Sequence, residues 1–285
     1  MKILITGING QVGHALMHEL TDHELIGLTR KECELTNPDQ IRQVIDHHQP
    51  ELIINPAAYT KVDQAEDEPE LAFRINRDAP RVMANKAREY DIPIIHFSSD
   101  YVFDGYKEVP YSEEDLPNPL GIYGQSKLAG EEAIKEVDGQ FYIFRTSWVY
   151  SSIGHNFYLN IRRKIKEQVE LSVVNDQLGV PTSSLFIAQQ IKKMIPKLSN
   201  QNKGIYHLVP SGACTWFDFA ELILNTSKLD QQEKKIFPVS SDQFPSKAKR
   251  PRKSCLLNDK IRKAFVLEFD DWKSVFLESI KNINE

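Results

Sequence analysis

The chain has 285 residues, 41% hydrophobic and 26% charged, which is ordinary globular usage and excludes a disordered chain, a collagen-like repeat or a coiled-coil rod. Lys and Arg number 35 against 40 Asp and Glu, a formal net charge of −5, so a polyanion is repelled and nucleic acid is not an expected partner. No run approaches the roughly 18 consecutive apolar residues that span a bilayer, and Cys33, Cys214 and Cys255 are too widely spaced for a disulfide framework or a zinc-type pair. A cytoplasmic protein without a membrane partner is expected.

Lys2–Thr6 (KILIT) opens the chain as a short β-branched run without polar alternation, the pattern of a strand covered on both faces. Gly7, Gly10 and Gly13 follow it directly in a GxxGxxG spacing, and a helix is expected over Gln11–Glu19. The dinucleotide fingerprint is GxGxxG, but the physics is the same: glycines permit a tight turn, and N–H groups at the start of the helix receive a pyrophosphate. The second strand, Glu24–Leu28, ends on Thr29, Arg30 and Lys31. NAD-specific folds place a carboxylate about 20 positions beyond the motif. Two cations there favour a 2′-phosphate and hence NADPH, while the nearby Glu32 and Glu34 leave NADH possible. Glu34 and Leu35 are counted with the cofactor wall.

Helix Pro38–His48, with Asn37 as its cap, leads to strand Glu51–Ile54, helix Pro69–Tyr90 and strand Ile92–Phe97. Helix Tyr123–Val137 and strand Phe141–Arg145 complete the series. Strand–helix alternation over residues 1–150 predicts a doubly wound parallel sheet, an α/β Rossmann-like domain. After Ser151 the pattern loosens: helix Asn156–Lys166, apolar run Leu171–Val174, helix Ser184–Ile195, strand Gly204–Leu208 and helix Trp216–Thr226 alternate with loops. Residues 151–285 are therefore expected to form mainly a smaller α/β substrate domain, with part of about 170–200 returning to the first sheet. The polar stretch Ser240–Arg252 reads as a surface loop.

Tyr123 and Lys127 lie four residues apart, on one face of their helix. A tyrosine titrates near pH 10, and a fixed cation nearby lowers that value. The pair is weak as a lone spacing, but it follows a glycine turn after strand one and a strand ending His96-Phe97-Ser98-Ser99-Asp100.

In this combination the chain resembles the extended short-chain dehydrogenase/reductase superfamily, and within it the dTDP-4-dehydrorhamnose reductase family. The matching segments are Gly10-Gln11-Val12-Gly13, Asn55–Glu66 (NPAAYTKVDQAE), Ser98–Gly105 (SSDYVFDG), Tyr123–Glu131 (YGQSKLAGE), Phe144–Tyr150 (FRTSWVY) and Asn175–Thr182 (NDQLGVPT). The resemblance implies NADPH-dependent reduction of the C4 keto group of a nucleotide-linked deoxy sugar, dTDP-4-dehydro-L-rhamnose going to dTDP-L-rhamnose. It implies that Ser99 polarises the carbonyl, that Tyr123 donates the proton, and that Lys127 binds the nicotinamide ribose while tuning Tyr123. Gln11, Val12, Ala58, Tyr59 and Thr60 would line the cofactor. Asp100, Tyr101 and Trp148 would meet the sugar, and Asn156, Thr182 and Arg250 the nucleotide half. Dehydratases of the superfamily carry a Glu one residue after the Asp of this motif. Tyr101 stands there instead, so dehydration is not expected, while a related reductase or epimerase remains an alternative. A relative of the family serves as a non-catalytic partner of methionine adenosyltransferase, the other alternative role. Some members dimerise through magnesium on glutamates; Ala15 and Leu185 stand at those places, so a monomer or a metal-independent dimer is expected.

Three features have plainer readings. His14 and His18 have the spacing of a metal pair without a third ligand and read as surface histidines. In the basic run Lys247–Lys253 the resemblance implies that Arg250, next to Pro251, reaches the diphosphate, and its neighbours are expected to be solvated. Trp216, Phe217 and Phe219, at a helix start, read as core.

Overall fold

The computed structural model describes residues 1–227 and 234–281. The first part of the chain runs β1 (Lys2–Thr6), α1 (Gln11–Glu19), β2 (Glu24–Leu28), α2 (Pro38–His48) and β3 (Leu52–Asn55). It continues through α3 (Val62–Ala65), α4 (Pro69–Phe73), α5 (Ala79–Glu89), β4 (Ile94–Ser99), α6 (Ile122–Val137) and β5 (Phe141–Thr146). Then come β6 (Val149–Tyr150), α7 (Phe157–Glu167), β7 (Glu170–Val174), β8 (Leu178–Gly179), β9 (Thr182–Ser183), α8 (Ser184–Met194) and β10 (Gly204–His207). The last elements are β11 (Cys214–Thr215), α9 (Trp216–Thr226), β12 (Lys235–Val239), α10 (Asp259–Phe265) and α11 (Trp272–Lys281). Among the described residues no helix is long and apolar enough to cross a membrane.

The main sheet has the order β2-β1-β3-β4-β5-β10 with every pair parallel. Strand order reverses between β1 and β3, and such a reversal opens a crevice beyond the carboxyl ends of the strands. Successive residues of a strand face opposite layers. Ile3 and Ile5 accordingly pack with α1, α8 and α10, while Leu4 packs with α2, α5 and α6. A second core, built from α7, α9, α11, β7 and the Val102–Tyr111 loop, underlies the smaller part of the molecule. There β7 pairs with β12, β6 with β9, and β8 with β11. The elements that return to the main sheet are α8, which packs on α1, and β10, beyond the 170–200 stretch expected.

Local chemistry explains where the elements begin and break. Asn37 accepts from the N–H groups of Asp39 and Gln40, with Pro38 in the first helical turn. The single helix expected over Pro69–Tyr90 is instead α4, a π-helical turn over Arg74–Asp78, and α5. Pro80 has no N–H to give the carbonyl of Asn76, and the chain widens there. The strand β12, over which no element was expected, holds Pro238 inside it; in a two-stranded ribbon that proline costs no ladder bond on a second side.

Candidate active site

The turn after β1 is built around two backbone constraints. Gly7 has φ +61, and a Cβ there would lie 2.8 Å from the Cβ of Ala57. A Cβ on Gly13 would lie 2.3 Å from the Gly7 carbonyl oxygen, so neither position tolerates a side chain. The first turn of α1 has Gly10 as its N-cap, no capping side chain and no acidic residue, which leaves its N–H groups and the positive end of the helix dipole available to an anion.

A cavity of 530 Å³ lies over this turn. Gly7, Gly10, Gln11, Val12 and Gly13 form its floor, and Arg30, Glu34 and Leu35 one end. Ala58 and Thr60 close a side, and Tyr123 and Lys127 of α6 close the other end. Two further hydroxyls line it that the sequence reading missed: Ser98 Oγ and Thr146 Oγ1 are buried without a hydrogen-bond partner in the protein. A buried hydroxyl without a partner is costly, so both point to a polar ligand. Thr29, Lys31 and Tyr59 do not line this cavity. The Thr29 hydroxyl and N–H donate to Glu32, Lys31 is exposed, and the Tyr59 phenol donates to Glu68 at 2.8 Å. Arg30 donates through Nε to Glu34 at 2.7 Å, so its charge is partly offset at the cavity edge.

Ser99 ends β4 and brings together the groups on which proton chemistry can rest. Its hydroxyl donates to Asp100 Oδ1 at 3.0 Å, its oxygen accepts from the Tyr101 N–H at 3.2 Å, and it shares a hydrogen bond with the Tyr123 phenol. Tyr101 meets Tyr123 edge-on, with ring centroids 5.5 Å apart. Asp100 is buried, and Ser254 donates to its other oxygen at 2.6 Å. Burial pushes the Asp100 carboxyl up to about 6, against the lowering effect of its bonds to Ser254 and Ser99.

Lys127 departs from the expectation that it tunes the phenol downward. Its Nζ donates to the Phe97 carbonyl at 2.6 Å, and no hydrogen bond among the described residues joins it to Tyr123. Desolvation pushes the Tyr123 phenol up to about 12, partly countered by the bond to Ser99. Desolvation also lowers Lys127 to about 8, with Glu131 acting in the opposite sense. Asn76, in the π-helical turn, ties this region to the cofactor-side loop. Its amide accepts from the Tyr59 N–H, donates to the Tyr59 carbonyl and donates to Ser126 Oγ, which itself donates to the Tyr123 carbonyl.

A larger cavity of 1180 Å³ lies on the side of the smaller core. Arg250 lines it, donates to Asp63 at 2.8 Å and is hydrogen-bonded to Tyr101, so it links this cavity to the Ser99–Tyr123 group. The basic run is not simply solvated: Lys247 pairs with Asp67, and the Ala248 N–H donates to Asp63, which straps the run onto α3. The aromatic wall also differs from expectation, because Trp216, read as core, lines the cavity together with Phe157. Trp148 lies behind it, stacked on Trp216 with centroids 3.4 Å apart and planes 7° apart. Phe219 is buried in the core. Trp148 has φ 47, and its ring edge fills the space of a side chain at Gly179, where a Cβ would come within 2.3 Å.

Two residues expected at the nucleotide are engaged elsewhere. Asn156 caps α7 by accepting from the Leu159 N–H, and its amide donates to Gln11 Oε1 at 2.8 Å and to the carbonyls of Ser151 and Ile153. Thr182 is fully buried on β9 and donates to the Val180 carbonyl. Neither lines a cavity described above.

Comparison with known proteins gives one consistent result. The family model described as RmlD substrate binding domain matches residues 1–285. A dTDP-4-dehydrorhamnose reductase of Sinorhizobium fredii is 38% identical over 279 residues, covering 96% of this chain and 94% of its own. The Escherichia coli K12 protein of that name is 38% identical over 283 residues, covering 96% and 95%. Among solved structures, a dTDP-4-dehydrorhamnose reductase from Bacillus anthracis in complex with NADP superposes with a TM-score of 0.93 at 35% identity, covering 99% of both chains. One from Clostridium acetobutylicum superposes with a TM-score of 0.94 at 35% identity over 100% of both chains.

Proposed function

Since the chain belongs to the dTDP-4-dehydrorhamnose reductase family, we propose that it reduces the C4 keto group of dTDP-4-dehydro-L-rhamnose with NADPH to form dTDP-L-rhamnose. The observation that carries the reading is the Ser99–Tyr123 pair: Tyr123 lines the cavity over the glycine turn, and Tyr101 joins it to Arg250 in the larger one.

The residues fit a dinucleotide. The Gly7–Gly13 turn leaves a cradle that a Cβ would fill, the first turn of α1 offers free N–H groups, and Ser98 and Thr146 hold orphaned hydroxyls toward the same cavity. NADPH, when bound, supplies the hydride for C4. Tyr123 keeps its proton at neutral pH because desolvation holds its pKa near 12. It is therefore a donor, not a base, and a sugar alkoxide is a much stronger base than a phenolate, so transfer from Tyr123 Oη to the developing C4 oxygen is downhill. Ser99 Oγ lies within hydrogen-bond reach of both Asp100 and the Tyr123 phenol, and its O–H, donated to Asp100 before transfer, turns to the phenolate oxygen once the Tyr123 proton has left. Lys127, charged below about pH 8, lines the same cavity as Tyr123, and its ammonium would hold the cofactor there. Arg250 is the cation for the diphosphate, and Trp216 and Phe157 offer faces for the base.

This reading places the enzyme in a reducing, cytoplasmic compartment, in keeping with three free, buried cysteines. The test is NADPH oxidation by the purified chain with dTDP-4-dehydro-L-rhamnose, with UDP-linked 4-keto sugars as controls. Turnover with the dTDP sugar giving dTDP-L-rhamnose is expected; a folded, NADPH-binding protein inert toward it would refute the proposal.

A further inference from the structure

A row of polar side chains crosses the apolar main sheet beneath the cofactor cavity. Thr6 at the end of β1, Asn55 at the end of β3, His96 in β4 and Lys127 on α6 are each no more than 2% exposed. Thr6 Oγ1 lies 2.6 Å from Asn55 Oδ1, Asn55 Nδ2 lies 3.2 Å from His96 Nδ1, and His96 Nε2 lies 3.5 Å from Lys127 Nζ. Asn55 and His96 are register partners across the β3–β4 ladder, so the sheet itself fixes the middle of the row. Buried polar rows of this kind weaken a core unless every member is satisfied.

The proton positions along the row depend on the charge of Lys127. With Asn55 Nδ2 donating to His96 Nδ1, the imidazole proton sits on Nε2 and opposes an ammonium. Turning the Asn55 amide over lets His96 Nδ1–H donate to its oxygen, while its nitrogen donates to Thr6 Oγ1. His96 Nε2 then offers a lone pair to Lys127. A charged Lys127 selects this second arrangement. His96 remains neutral, since burial and the neighbouring ammonium hold its pKa well below the ordinary value.

We propose that His96, oriented by Asn55, is a positioning residue for Lys127: its Nε2 and the Phe97 carbonyl take two of the three ammonium hydrogens and leave the third for the cofactor cavity. The proposal rests on the reading of Lys127 as the lysine that holds the cofactor. It also gives His96 an electrostatic task. The groups around Lys127 are Tyr123 and Glu131 on its own helix, Arg145 of β5 paired with Glu131, and His96 of β4. Of these Glu131 favours the ammonium by charge, but Arg145 engages its carboxylate through two bonds of 2.9 and 2.7 Å. Among the described residues, His96 is the side chain within hydrogen-bond distance of Nζ.

Two experiments test this. In wild-type protein at neutral pH, nitrogen NMR of the histidines should find His96 protonated on Nδ1 and unprotonated on Nε2; the opposite tautomer would overturn the proposal and needs no variant. The second compares His96→Leu, which removes the acceptor, with His96→Gln, which offers an amide oxygen in its place. In His96→Leu the alkaline limb of kcat should move to lower pH by about one unit, the scale of a lost charge-assisted hydrogen bond. NADPH should bind about tenfold more weakly, and His96→Gln should recover most of both effects. Equal losses in both variants with an unmoved limb would mean that His96 only fills space, and the proposal would fall. NADPH titration against pH reads Lys127 without any sugar, so a failure of the substrate assignment leaves this result separately visible.

Discussion

Tyr123→Phe isolates the chemical step. The ring keeps its edge-on contact with Tyr101 at 5.5 Å, and the only group removed is the hydroxyl bonded to Ser99. The folding loss should therefore be that of one neutral hydrogen bond, about 1 kcal/mol. NADPH binding should barely change, because the ring still closes its end of the 530 Å³ cavity. Turnover loses its proton donor and should fall by roughly 10²–10⁴-fold, about 3–5 kcal/mol on the barrier. Lys127→Met behaves differently: it deletes the ammonium that reaches the same cavity and leaves the Phe97 carbonyl and His96 Nε2 without their donor. It should weaken NADPH binding and slow turnover together. Stopped-flow NADPH oxidation gives kcat, and quenching of protein fluorescence gives the cofactor Kd. A folded Tyr123→Phe protein that binds NADPH and reduces the keto sugar at near wild-type rate would refute the proton-donor role.

The Lys127 contribution to stability and the activity it supports should respond to alkali in opposite directions. The folded-state pKa of Lys127, about 8, lies below its ordinary 10.5, so the unfolded chain binds more protons at this group between those values, and its contribution to stability rises from pH 8 to 10.5 while activity falls; the buried cysteines, raised by desolvation, act in the opposite sense, so urea titrations at pH 8 and pH 10 should show the rise as a growing stability difference of wild type over Lys127→Met. Gly179→Ala should drive a methyl group into the Trp148 ring edge, disturb the stack on Trp216, and cost about 1–3 kcal/mol. Its KM for the nucleotide sugar should rise with NADPH affinity retained, and steady-state kinetics that found KM unchanged would detach the stack from substrate binding. Ala15 on α1 and Leu185 on α8 offer no carboxylate, so EDTA should leave both activity and the mass seen by light scattering unchanged.

What was legible in the sequence follows from how far apart cooperating residues lie along the chain. Gly7, Gly10 and Gly13 sit in one turn, and Tyr123 and Lys127 on one helix face, so local geometry alone brings them to the cavity. Ser99 could be placed because its strand ends 24 residues before Tyr123, although the strand extends two residues beyond the expected Phe97. Asn156 and Thr182 have partners the letters cannot carry: their side chains are engaged by Gln11, the α7 N-terminus and the Val180 carbonyl, elements that lie far from them or form only in the fold. Trp148 and Trp216 become a stacked pair only because the β8–β11 ribbon folds the second helix start back onto the first segment.

The polar row under Lys127 is the clearest case of information held in strand register instead of in sequence spacing. Thr6, Asn55 and His96 are separated by 49 and 41 positions, and each ends or interrupts an otherwise apolar strand, so individually they read as strand boundaries. Their alignment needs β3 to sit between β1 and β4, which is the arrangement produced where the strand order reverses. The same reversal opens the crevice over the glycine turn. A single topological feature thus creates the cofactor cavity and delivers, one layer below it, the acceptor that holds Lys127 at its edge. A sheet with β1 beside β4 would retain every motif in this chain and still lose the Asn55 link between Thr6 and His96.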